Sequence, residues 1–132
     1  MGAWDATSFG NDAANDWAYD LEKCQGLTLI ESTLARVQHL GTEYIDVDAG
    51  AEAIAAAEVL AWLNGRPTAI NSYTEKIAQW VEANPIRPPA ELLQLARTVL
   101  TRLRAEPSEL AELWDGDKEW LGALDDLNAR LS

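Results

Sequence analysis

The chain has 132 residues, 48% of them hydrophobic, which suits one domain able to bury roughly two-thirds of its unfolded surface without a metal or a disulfide. Its formal charge is −12 and unevenly placed: residues 1–65 hold eleven acids against Lys23 and Arg36, while residues 66–132 hold eleven acids against eight bases. Such a surface repels a phosphate backbone, which argues against nucleic acid and anionic membranes as partners and favours a basic protein or a cation.

The single cysteine, Cys24, has no internal partner for a bridge, so nothing calls for an oxidising compartment. No Lys or Arg precedes an apolar run near Met1, and the most apolar stretch, Ala53 to Leu63, contains Glu58 and falls well short of the ~20 residues of a membrane span. A cytoplasmic location is expected.

Apolar residues recur three and four apart through most of the length, which predicts an all-α fold. Residues 1–11, MGAWDATSFGN, are too rich in Gly, Asn and Asp for a helix yet carry Trp4 and Phe9, and are expected to form a strap packed on the rest. A first helix is predicted from about Asp12 to Lys23, with Asn11 or Asp12 as cap and Ala13, Trp17 and Leu21 as its stripe. Thr28 and Glu31 have capping-box spacing for a second helix that ends at Gly41. TEYIDVDAG reads as a connection, with Asp48 capping a third helix over 49–64. That helix is apolar or small on all sides, so it is expected to be the buried centre. Ser72 to Glu75 resembles another capping box, opening a helix to about Ala83. Pro88-Pro89 suits the first turn of a long helix whose Arg97, Arg102 and Arg104 favour its C-terminal half. Pro107 should start a short helix through Trp114, and a last helix carries Trp120, Leu121, Leu124, Leu127 and Leu131. The expectation is a compact bundle of six or seven helices in one domain, residues 1–132.

The opening residues Met1, Gly2, Ala3, Trp4, Phe9, Asn11, Asp12, Ala14, Asp16 and Trp17 resemble the motif that starts a family of small bacterial proteins, the domain-of-unknown-function 4259 type. The similarity continues through AAAEVLAWLNGRP (55–67), WVEANP (80–85) and ELWDGDKEWLGALDDLNARL, and departs at Asp5 and Thr7, where the family often has glycine. The resemblance implies a bacterial helical domain, and it implies no reaction, substrate or catalytic residue.

The residues offer little for catalysis. His39 falls near a helix end, where a cation or donor suits the dipole. Cys24 reads as a small apolar residue at a helix end, and one His with one Cys falls short of a zinc site. Neither phosphate-binding glycine motif occurs, and no cofactor is expected. Asp12, Asp16 and Asp20 form one helical column of oxygen ligands that could attract Ca²⁺ or Mg²⁺, but they lack the calcium-loop signature and read first as a solvated face. Glu58, one turn before Trp62 on the central helix, needs partners if buried; an anchoring role is weighed above general acid/base work.

Three functions follow from this. The leading expectation is a non-enzymatic protein-interaction domain, of immunity, antitoxin or adaptor type, that offers an acidic surface to a basic partner. The second is a small-ligand binder or enzyme using Glu58 with Asp12 and Asp16 in a cleft beside the strap. The third is a divalent-cation binder at Asp12, Asp16 and Asp20. The residues to watch are Trp4, Phe9, Asn11, Asp12, Asp16, Trp17 and Glu58.

Overall fold

Local stop signals cut the chain into seven helices in the computed structural model, which describes residues 11–68 and 74–132. They are α1 (Asp12–Glu22), α2 (Thr28–Leu40), α3 (Val47–Leu63), α4 (Glu75–Ala83), α5 (Ala90–Leu103), α6 (Glu109–Trp114) and α7 (Lys118–Arg130). No strand occurs among the described residues; an isolated parallel bridge pairs Ile45 with Ser108.

α3 is the centre, as its composition predicts. Thirteen of its 17 residues are buried, and each of the other six helices contacts it. Alanines at 53, 55, 56, 57 and 61 are fully enclosed, and their small side chains let neighbouring helices approach closely. Closest of all is Gly50, where an added Cβ would lie 2.7 Å from Leu110 Cδ1 on α6. Leu21, Leu34, Leu60, Leu100, Leu103, Leu127 and Leu131, drawn from five helices and the C-terminus, complete one continuous apolar core.

Several predicted caps move. α2 begins at Thr28 itself, with Leu27 in the cap position and no side-chain cap, because the Leu27 carbonyl already accepts from Glu31 N–H at 2.9 Å. The Thr28/Glu31 capping box therefore does not form. α3 starts two residues earlier than expected and its cap is Asp46 rather than Asp48; the Asp46 carboxylate accepts from Asp48 N–H and Ala49 N–H at 3.2 and 3.3 Å. Pro89 precedes α5 as its cap rather than standing in its first turn. α6 is capped by Ser108 and begins at Glu109, two residues after the expected start, and Ser108 Oγ also donates to Leu103 O at 2.8 Å. Ser72 and Tyr73 of the second capping box lie outside the described residues.

The far end of α7 is held by cations and amides from other helices, which satisfies carbonyls that a helix end leaves open. Arg97 Nη1 donates to Leu131 O at 2.8 Å, Arg66 Nη1 to Ala129 O at 3.0 Å, and Asn64 Nδ2 to Arg130 O at 3.1 Å. No helix among the described residues is long and apolar enough to cross a membrane.

Candidate functional site

Trp4 and Phe9 lie outside the described residues. Asn11 caps α1: its Oδ1 accepts from Ala14 N–H at 2.8 Å while its own carbonyl accepts from Asn15 Nδ2 at 2.8 Å. Trp17 is buried, and its indole N–H donates to Thr33 Oγ1 at 2.9 Å; that hydroxyl passes its proton to Leu29 O at 2.7 Å. Asn11 thus works at the start of α1 and Trp17 at the contact of α1 with α2. Asp12, Asp16 and Asp20 are all exposed on α1. Among the described residues no three His, Cys, Asp or Glu side chains come together as a set for a metal ion.

Glu58 is only 3% exposed, within α3. Its two oxygens accept from Arg130 at the end of α7, Nη2 to Oε1 at 2.9 Å and Nη1 to Oε2 at 2.5 Å. A two-pronged guanidinium–carboxylate contact is the strong form of an ion pair and meets the need of a buried carboxylate for partners. The pairing raises the Arg130 pKa, against the opposing effect of burial, with Asp126 adding to it. Asp126 takes the remaining Nε–H at 2.9 Å on the exposed side of α7. The cleft expected to join Glu58 with Asp12 and Asp16 was placed beside the strap, which lies outside the described residues.

A different group of residues forms an outward-facing site. The chain 43–48 runs beside α6, because Ile45 N–H donates to Pro107 O at 3.2 Å and Glu109 N–H to Ile45 O at 2.9 Å. Ile45 points inward and is fully buried, so Tyr44 is turned outward and is 51% exposed. Its hydroxyl donates to Glu112 Oε2 at 2.7 Å. That hydrogen bond, helped by the charges of Glu109, Glu112 and Asp46, pushes the phenol up to about 12. Exposed Leu113 lies next to Glu112 on α6. Glu109 also accepts from Val47 N–H at 2.8 Å, which fixes α6 against the start of α3. Farther along α3, burial raises the Glu52 pKa while Arg36, 3.0 Å away, opposes it. The face is thus an exposed tyrosine set among carboxylates.

Arg102 holds this loop from behind. Rather than serving its own helix end, its guanidinium donates to the carbonyls of Gly41, Glu43, Ala105 and Pro107 at 2.7 to 3.0 Å. The cation is therefore committed to backbone oxygens and leaves the carboxylates on the surface without an ion pair from it.

At the other end of α3 lies a cleft of about 460 Å³ between the helix terminus and the 84–89 connection. Trp62, Leu63, Val81, Ile86 and Arg87 are among its walls. Trp62 is 7% exposed, and its indole Nε1 is buried without a hydrogen-bond partner. Leaving a buried donor unsatisfied costs about 1–3 kcal/mol. By contrast, the indoles of Trp17 and Trp80 donate to Thr33 Oγ1 and Cys24 O, each at 2.9 Å.

The sequence reading missed Tyr44, Glu112 and Arg87. Tyr44 and Glu112 stand 68 residues apart in the chain, and tertiary contacts such as the Ile45–Ser108 bridge bring them together. The available signal was modest: a tyrosine between acids in the one stretch with strand alternation.

No curated protein and no solved structure matches the chain. The family model described as Domain of unknown function (DUF4259) matches residues 2–123, which takes in α1 to α6 and the first part of α7. The chain belongs to the DUF4259 family.

Proposed function

We propose that this chain is a protein-interaction domain of immunity, antitoxin or adaptor type that engages a partner with a basic surface. The face around Tyr44 and α6 makes the contact. The observation that carries this reading is the phenol of Tyr44, half exposed yet held among Glu112, Glu109 and Asp46 and pushed up to about 12. Tyrosine is favoured at binding hot spots because it adds contact area with a polar tip at low entropic cost. Carboxylates around it attract arginine and lysine, which speeds encounter and rejects acidic competitors. A guanidinium from the partner can both pair with Glu112 and stack on the ring. The cytoplasm is the compartment this reading assumes.

A photo-crosslinking side chain at position 44, introduced in the host cell, tests the proposal. The expected product is one dominant adduct to a protein with a basic surface, lost when Glu112 and Asp46 are changed to Gln and Asn and retained when Asp20 is changed to Asn. Adducts that ignore those substitutions, or that involve only acidic proteins, overturn it.

A further inference from the structure

We propose that the cleft between the end of α3 and the 84–89 connection binds a small carboxylic acid with an apolar body. Two observations point to a ligand independently of the acidic face. The first is the buried N–H of Trp62, a residue that lines the cleft; the fold leaves this donor unpartnered although it satisfies the indoles of Trp17 and Trp80. The second is Arg87, exposed at the rim, whose guanidinium makes no hydrogen bond or ion pair with the described residues. Arg36, Arg104 and Arg130 each pair with a carboxylate, and Arg66, Arg97 and Arg102 bind carbonyls. In a chain of net charge −12, an arginine kept out of every such contact is available to an incoming anion.

The chemistry of the walls narrows the class. Leu63, Val81 and Ile86 supply apolar surface, so the ligand needs a body that gains by leaving water. One guanidinium offers a fork that matches a carboxylate. A phosphate, with more charge to neutralise, would meet only Arg87 in a strongly acidic molecule. The volume falls in the range of small-molecule sites. The Trp62 nitrogen is sealed from solvent, so its acceptor arrives with the ligand as the lining of the cleft shifts to admit it. Ile86 belongs to the connection between α4 and α5, where no helical ladder resists that movement.

The probe is phenylbutyrate, with phenylbutanol as the matched neutral control, followed in the proton–nitrogen correlation spectrum, where each tryptophan indole gives a resolvable signal. The Trp62 signal, assigned by through-bond connectivity and checked with Trp62→Phe, should shift saturably with the acid. The Trp17 and Trp80 signals should stay in place. Arg87→Gln, at an exposed and unpaired residue, should leave the fold intact and raise the Kd about tenfold, the loss expected for one charge-assisted hydrogen bond. A Trp62 signal unmoved by millimolar phenylbutyrate overturns the proposal. So does an equal response to the alcohol, or a Kd unchanged in Arg87→Gln. Failure here leaves the crosslinking result at Tyr44 untouched, since the two sites share no residue.

Discussion

Arg130 binds two carboxylates in very different surroundings, and replacing each partner separately measures what burial is worth. Glu58 has a side chain 4% exposed, whereas Asp126 is 67% exposed one helical turn from the arginine. Arg130→Met leaves Glu58 enclosed without its guanidinium, a change that costs about 3–5 kcal/mol when a buried pair loses one member. Against a total stability on the order of 5–15 kcal/mol this is a large fraction, and in a chain of this size it lowers Tm by roughly 10–20 °C. Asp126→Asn removes only a solvated pair within one helix, worth about 0.3–0.5 kcal/mol.

Denaturant unfolding of Arg130→Met, Glu58→Gln and the double variant completes the cycle. The expected coupling is about 2 kcal/mol, near the upper part of the range for contacting residues. The pH dependence has a fixed sign. The Arg130 pKa is raised on folding, so its contribution is complete below the ordinary arginine value and is lost only as pH climbs through the higher folded value. The Arg130→Met deficit should therefore be the same at neutral and mildly alkaline pH. The reasoning is refuted if Arg130→Met costs no more than Asp126→Asn, or if the single effects add to within about 0.5 kcal/mol.

Other substitutions probe the core and the acidic face. Thr33→Val strips the acceptor from the buried Trp17 indole and should cost about 1–3 kcal/mol in urea unfolding, more than the added methyl returns. Ala57→Leu forces extra volume into the enclosed centre of α3 and should destabilise by about 1–3 kcal/mol, read as a fall in Tm. The Tyr44 phenol should titrate near 12 rather than its ordinary 10 in ultraviolet difference spectra, and Glu112→Gln should bring it back down. Since folding raises that pKa, the associated stability is full below 10 and lost as pH rises through about 12.

Features that depend on neighbours in the chain were readable before the structure, and those that depend on distant partners were not. The seven helices, the Gly41 stop and the burial of α3 follow from periodicity, turn residues and an alanine-rich stretch with no polar face. Caps were the weakest local inference. Asp46 and Asp48 both suit the start of α3, and the choice was made by the Ile45–Ser108 bridge, which holds residue 45 extended and puts Asp46 at the turn. Glu58 was recognisable as a buried carboxylate needing partners, but Arg130 lies 72 residues away, and nothing local marks it out from Arg97, Arg102 or Arg104 as that partner. The acidic column on α1 drew attention by its spacing; the face around Tyr44 has no spacing to read, because it joins a loop to a helix of six residues.

The arginines explain why so acidic a chain folds without neutralising its surface. Arg66, Arg97 and Arg102 place their charges on the carbonyls of Ala129, Leu131, Gly41 and Glu43. There they offset the negative ends of helices and loops and leave the carboxylates of the Tyr44 face facing water. Salt should then act in opposite directions on folding and on binding. Screening relieves the mutual repulsion of the surface acids, so Tm should rise between low salt and physiological ionic strength, where the Debye length shortens to about 8 Å. Association with a basic partner should weaken over the same interval, chiefly through a slower on-rate. Parallel melting curves and binding kinetics across a salt series separate the two effects. If salt lowers Tm, the surface acids are stabilised by local pairs rather than repelling one another. If it leaves the on-rate unchanged, the carboxylates around Tyr44 do not steer the partner.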